Sequence, residues 1–262
     1  QMRSVLIFLL LATPALSQEF FGSGEALCWR PSSDDFHNQF NSNLDIDHDW
    51  SGGYRVALGL DQLWGWKASW TYTSFSADDS RIWTGLPGPD LSSYGDLDYQ
   101  VHAVEVGREF WLHPRFKTEA FAGFRWGQID YSLRDALGGV NGSTLILHSN
   151  TDSYGARAGA KGRCYLPAQF SLFGQGAFSG LFSTTDNTGL SSTAAWDLTD
   201  NHENHAVDAA AGLAWECGLM EVSAGYEWNW WANSLQRRAS APQPDYDDLL
   251  LEGVFLRVTG RY

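Results

Sequence analysis

The sequence predicts an all-β fold: a closed, antiparallel, up-and-down transmembrane β-barrel of about ten strands, with short periplasmic turns and long extracellular loops. Three observations predict it. Segments of period-two alternation recur along the chain, as half-buried strands require. The connections between them are alternately tight and long. The last segment, Leu249–Tyr262, is itself an alternating strand ending on an aromatic ring.

Taken in order, the candidate strands are Gly24–Arg30, Gly53–Leu60, Trp66–Ser76, Tyr99–Leu112, Phe116–Tyr131, Tyr154–Cys164, Phe170–Phe182, Ala206–Glu216, Met220–Trp231 and Leu249–Tyr262. The alternation is sharpest in Met220–Trp231, where Met220, Val222, Ala224, Tyr226, Trp228 and Trp230 share one face and Glu221, Ser223, Gly225, Glu227 and Asn229 the other. Trp66, Ala68, Trp70 and Tyr72 oppose Lys67, Ser69, Thr71 and Thr73 in the same way. In Tyr99–Leu112 the apolar face switches between Val101 and Val104, which reads as a β-bulge. Gly24–Arg30 offers the least alternation of the ten.

Asp61–Gly65, His113–Arg115, Tyr165–Gln169 and Cys217–Leu219 are tight turns. The long connections carry Asp34, Asp35, Asp45, Asp47, Asp78, Asp79, Asp90, Asp96, Asp186, Asp197, Asp200, Asp245, Asp247 and Asp248, read as solvated loop acids. Sorting short turns to one rim and long loops to the other is the habit of bacterial outer-membrane barrels. An even strand count then leaves both ends of the barrel on the short-turn, periplasmic side, with the last strand pairing to the first.

Residues 1–17 read as a cleaved signal peptide and 18–262 as the barrel domain. Arg3 precedes an apolar run, Val5–Leu11, and Pro14 leads into Ala15-Leu16-Ser17, a small-residue cleavage site. The run is too short to cross a bilayer as a helix, and no later stretch approaches the roughly 20 apolar residues needed. Trp (13), Tyr (10), Phe (15) and Gly (27) are abundant, which suits aromatic girdles and glycine-bearing strands. A soluble exported glycan-binding β protein would share that bias. Acidic residues outnumber basic ones 31 to 17, which argues against nucleic acid as a partner.

If the polar faces line a lumen, it receives Arg55, Lys67, Lys117, Glu119, Arg125, Arg157, Lys161, Glu227, Arg257 and Arg261, with Arg163, Asp208, Glu216 and Glu221. These are the candidate pore-lining residues. They read either as a cross-lumen ion-pair network or as a narrow, weakly anion-preferring eyelet, since the basic groups outnumber the acidic ones. Ten strands lie near the size at which side chains fill a barrel. Cys164 and Cys217, both at the short-turn rim, are candidates for a disulfide, while Cys28 is expected to face inward unpaired. No metal site, cofactor or catalytic residue is expected. His202 and His205 lack a third ligand, and His102 and His148 sit in no hydrolase pattern, although a rim enzyme acting on lipid or peptide stays open as an alternative.

Several segments resemble one family. They include Trp50-Ser51-Gly52-Gly53-Tyr54-Arg55-Val56-Ala57-Leu58-Gly59, Val104-Glu105-Val106-Gly107-Arg108, Phe121-Ala122-Gly123-Phe124-Arg125, Gly155-Ala156-Arg157-Ala158-Gly159, Phe170-Ser171-Leu172-Phe173-Gly174 and Gly225-Tyr226-Glu227-Trp228. In order and spacing they resemble the Legionella-type major outer-membrane protein family, pore-forming barrels also found in planctomycetes and chlamydia relatives. The resemblance implies a porin-like or structural surface protein of the bacterial outer membrane, sometimes serving adhesion, with no catalytic residues. The expected partners are outer-membrane lipid and lipopolysaccharide, the barrel-assembly machinery through the terminal strand, and small solutes or ions if a pore exists.

Overall fold

The computed structural model describes residues 19–33, 48–63, 65–83, 90–137, 144–191, 195–236 and 246–262. The leader expected over residues 1–17 and the loop acids Asp34, Asp35, Asp45, Asp47 and Asp245 lie outside them. Ten strands follow one another: β1 (Glu19–Ser32), β2 (Ser51–Leu63), β3 (Trp66–Trp83), β4 (Leu91–His113), β5 (Phe116–Leu137), β6 (Thr144–Tyr165), β7 (Phe170–Ser191), β8 (Ala195–Cys217), β9 (Met220–Gln236) and β10 (Tyr246–Arg261). Each pairs antiparallel with its neighbours in sequence, and β1 pairs with β10, so the sheet closes into an up-and-down barrel. Phe20 and Tyr262 exchange both main-chain hydrogen bonds, at 3.0 and 2.8 Å, at the foot of that seam.

The tight turns fall where the alternation stops. Gly65 (φ 82°) and Gly218 (φ 60°) occupy the left-handed conformation that reverses the β2–β3 and β8–β9 hairpins. A single 3₁₀ turn, Pro167–Gln169, joins β6 to β7.

The strands run well beyond their sequence-read ends on the long-loop side. β4 to β8 reach 22 or 23 residues, about twice the 9–11 that a tilted membrane strand needs. Asp78, Asp79, Asp96, Asp186, Asp197, Asp200, Asp247 and Asp248 are therefore strand residues, not loop residues. The cause is an inversion of the pattern along each strand. Within the bilayer the apolar side chains face out, as Val104, Val106 and Phe124 do. Above it they face in, as Leu97, Tyr99, Val101, Ile129 and Leu133 do, while Asp98 and Asp130 face out. The same inversion corrects the bulge expected in β4. Its register against β5 is unbroken from Leu91 to Trp111, so Val101 and Val104 face opposite ways on a regular strand.

The outward surface has two aromatic belts. Trp66, Phe110, Phe116, Phe170 and Trp215 circle the short-turn end; Tyr54, Trp126, Tyr154 and Phe182 circle the other. The segments between the belts are the membrane-spanning part.

Large side chains inside the barrel lie against glycines on the adjacent strand. Phe121 stands directly opposite Gly107 on β4 and Gly159 on β6. A Cβ at Gly159 would sit 2.5 Å from the Phe121 ring and 2.4 Å from the Gly176 carbonyl oxygen. Glycine is needed there for lack of volume, which lets the ring fold across the wall.

Candidate functional site

All ten candidate lumen residues face the interior, in the lower of the two tiers that fill it. The lower tier, toward the short-turn rim, is charged. Glu25 (β1) accepts from Arg55 (β2) at 2.6 Å and from Arg257 (β10). Arg55 also donates to Glu227 (β9) at 3.0 Å. Across the lumen, Arg125 (β5) forms two bonds to Asp208 (β8), at 2.9 and 3.1 Å, and Arg157 (β6) binds the same carboxylate. Arg157 reaches Glu105 (β4) at 2.8 Å, and Lys161 joins Glu105 to Glu119 at 3.1 and 3.3 Å. Nearer the rim, Lys67 lies between Glu109 and Glu119, Lys117 binds Glu109, Arg163 binds Glu216 and Glu221, and Arg261 closes on Glu221 at 3.2 Å.

Nine basic side chains thus meet nine acidic ones, counting Asp61 on Lys67. The expected excess of positive charge is corrected. The unforeseen acids are Glu25, Glu105 and Glu109, on the two strands with the weakest sequence alternation, and Asp61, which the sequence places in a turn and the structure at the end of β2. A cavity of about 410 Å³ remains among these groups and extends to rim residues Glu19 and Tyr165.

The upper tier is an apolar septum that alternation alone did not reveal. Trp29, Phe75, Leu97, Tyr99, Ile129, Leu133, Trp231, Leu249 and Leu251 are buried together in the lumen. Trp29 packs on Phe75 (ring centroids 5.4 Å apart) and edge-on to Tyr99 (6.0 Å), which meets Trp231 edge-on (5.7 Å). The tiers are joined by polar contacts from below. The Trp29 indole donates to Glu227 at 2.8 Å, Arg125 donates to the Tyr99 hydroxyl at 3.1 Å, and the Arg125 guanidinium lies 4.3 Å from the Trp231 ring centre. A reading of β1 parity from Trp29 inward would have found the septum, but that strand had too few residues in alternation.

The three cysteines are free. Cys28 faces outward, correcting the inward placement, because the inward positions of β1 are taken by Glu25, Leu27 and Trp29. Cys164 (β6) and Cys217 (β8) are separated by β7. Two strand spacings of about 4.8 Å exceed the ~7 Å over which a disulfide can form, so the structure holds the candidate pair apart.

The histidines do not converge. His202 bonds the Asn233 carbonyl at 2.8 Å, whereas His205 packs outside against Phe178. His102 lies on the outer surface, stacked on Trp126 with ring centroids 4.9 Å apart. His148 lies near Ser132 and Asp130, at 3.0 and 3.2 Å, but both approach the same ring nitrogen, Nδ1. A proton relay from serine to acid through the ring needs one partner on each nitrogen. Among the described residues no three His, Cys, Asp or Glu side chains gather as metal ligands.

Outside the barrel, above the upper aromatic belt, carboxylates face one another across strands. Asp78 stands opposite Asp96, and Asp98 opposite Asp130. Burial, then the charges of Asp98, Asp78 and Asp130, hold the Asp96 carboxyl above its ordinary range. Burial and Asp98 raise Asp130 against the opposing pull of His148. Burial and then Asp186 raise Asp152. For carboxyls raised in the folded state, protonation favours folding: the gain is full below the unfolded range and is lost as pH rises through the folded one. Asp98→Asn is therefore expected to stabilise the fold by about 0.2–1 kcal/mol near pH 7, with the gain shrinking toward zero near pH 4. Urea unfolding in detergent at the two pH values, followed by gel migration, measures it.

A family model described as Legionella pneumophila major outer membrane protein precursor matches residues 12–260. The chain belongs to that family. No curated protein matches it. Among solved structures it is similar to the outer membrane protease OmpT of Escherichia coli, at 10% identity over 93% of this chain and 95% of that one, with a TM-score of 0.58. It is also similar to a major outer membrane protein of Thermus thermophilus (10% identity, 94% and 100% covered, TM-score 0.40). A third likeness is to Ail, the attachment invasion locus protein of Yersinia pestis (11% identity, 94% and 98% covered, TM-score 0.33). At these identities the protease shares the fold alone. Family and barrel together make this an outer-membrane β-barrel protein.

Proposed function

We propose that this barrel is a structural surface protein of the bacterial outer membrane whose lumen is closed to solutes. The observation that carries the reading is the septum of Trp29, Tyr99 and Trp231, seated on a charged tier in which every candidate lining residue has an ionic partner. Under this reading residues 1–17 direct export and are removed, the terminal strand engages the assembly machinery, and the outer belts contact lipid and lipopolysaccharide. The chain acts without catalysis, in keeping with a histidine at Ser132 and Asp130 that uses one nitrogen for both.

Planar-bilayer recording of the refolded protein tests the proposal. Silent membranes are the expected result. Reproducible ion steps would overturn it in favour of a narrow pore, the second reading, which the 410 Å³ cavity supports. Cleavage of peptide or lipid by the folded barrel, lost in His148→Ala, would overturn the non-catalytic part.

A further inference from the structure

We infer that the upper part of β8 is a docking edge for an extended, basic peptide, which would add to the sheet as a further strand. β8 pairs with β7 as far as Ala195, opposite Leu190, but its pairing with β9 ends at His205, opposite Ala232. From Ala195 to Asn204 the main chain on the β9 side therefore faces no strand among the described residues.

The departure of β9 is built in. Asn233 takes a left-handed conformation (φ 52°), and the β9–β10 register shifts between Asp247 and Leu249. Two bonds hold this bulge: the Asn233 N–H donates to Asp248 at 3.0 Å, and the Ser234 hydroxyl donates to the Trp231 carbonyl at 3.2 Å. Among the described residues only side chains then bridge the seam: His202 to the Asn233 carbonyl, and the Tyr246 hydroxyl to Asp200. Nothing among the described residues replaces the hydrogen bonds that β9 gives up along β8.

A free strand edge is a template for another chain, and proteins commonly block it with lysine, proline or a bulge. Ala195–Asn204 contains no Lys or Pro, and its ladder to β7 is regular. The edge selects its partner by charge. Asp197 and Glu203 are exposed on it, and Asp186 lies on β7 beside Thr199. Between Arg163 and Arg237 the sequence holds no Lys or Arg. A second copy presenting the same edge would set acid against acid. A strand with Lys or Arg on alternate residues would place its cations beside Asp197 and Glu203 while its main chain completes the ladder. This inference stands whether or not the lumen conducts.

The test uses the full chain folded in detergent and a fluorescent peptide of alternating Lys-Thr and Lys-Val, followed by anisotropy. Saturable binding is expected, lost when the same peptide is N-methylated along both strand edges, which keeps its charge and removes its donors. The double variant Asp197→Asn/Glu203→Gln, checked as folded by its heat-modifiable migration, is expected to bind roughly three- to tenfold more weakly. Equal binding of the methylated peptide would overturn the proposal, reducing the contact to charge adsorption. Absence of saturable binding would overturn it outright. So would a dimer that competes with the peptide and assigns the edge to a second copy.

Discussion

Asp208→Ala is expected to destabilise the barrel by about 3–5 kcal/mol, the usual cost of removing one partner from a buried ionic group. Asp208 is the single carboxylate between Arg125 and Arg157, whose side chains are 5% and 11% exposed. Its loss leaves two guanidiniums in the lumen with no anion between them. Arg125 would keep the Tyr99 hydroxyl and the Trp231 face, and Arg157 would keep Glu105, but neither contact neutralises the mutual repulsion. Asp208→Asn, which retains an acceptor, should lose less. Arg261→Ala, at the 38%-exposed end of the network, should cost at most about 1 kcal/mol. Urea midpoints by gel migration would rank the three. An Asp208→Ala barrel as stable as the parent would mean that the charged tier is solvated rather than packed.

The legible part of this fold is the part that lies in the bilayer. Between the aromatic belts the outward side must be apolar and the inward side need not be, so residues such as Met220 to Trp230 alternate visibly. All ten candidate lining residues follow from that rule. Above the bilayer water lies outside and the septum inside, so the rule reverses, and Leu97, Tyr99 and Val101 imitate a bulge. The strand extensions holding Asp96, Asp98 and Asp186 imitate loops for the same reason: carboxylates on the outer face of a ladder have loop-like composition. Glu25 and Glu105 escape sequence reasoning because their strands offer too little alternation to assign a face. Partnering is not legible at all. Which acid crosses the lumen to which base depends on the closure of β1 on β10 and on glycines such as Gly123 and Gly155, opposite Arg157 and Arg125.

Trp231→Ala should have the second large effect, and it bears on function as well as stability. The side chain is fully buried, and truncating a buried tryptophan costs about 3–5 kcal/mol through lost transfer energy and the cavity left behind. The indole lies between the Tyr99 ring edge and the Arg125 guanidinium, and under the closed-lumen reading it is the seal. Ala206 and Leu249, its neighbours across β8 and β10, are too short to span that gap. Removing Trp231 together with Trp29 should therefore join the 410 Å³ cavity to the space above the septum and turn a silent barrel into one that passes ions. Trp231→Phe, which keeps a ring in place, should remain silent. Bilayer recording of the three proteins, each first verified as folded by heat-modifiable migration, distinguishes the cases. A folded double variant that stays silent would place the seal elsewhere, in the ion-pair tier, and Arg125→Ala would then be the substitution that opens it.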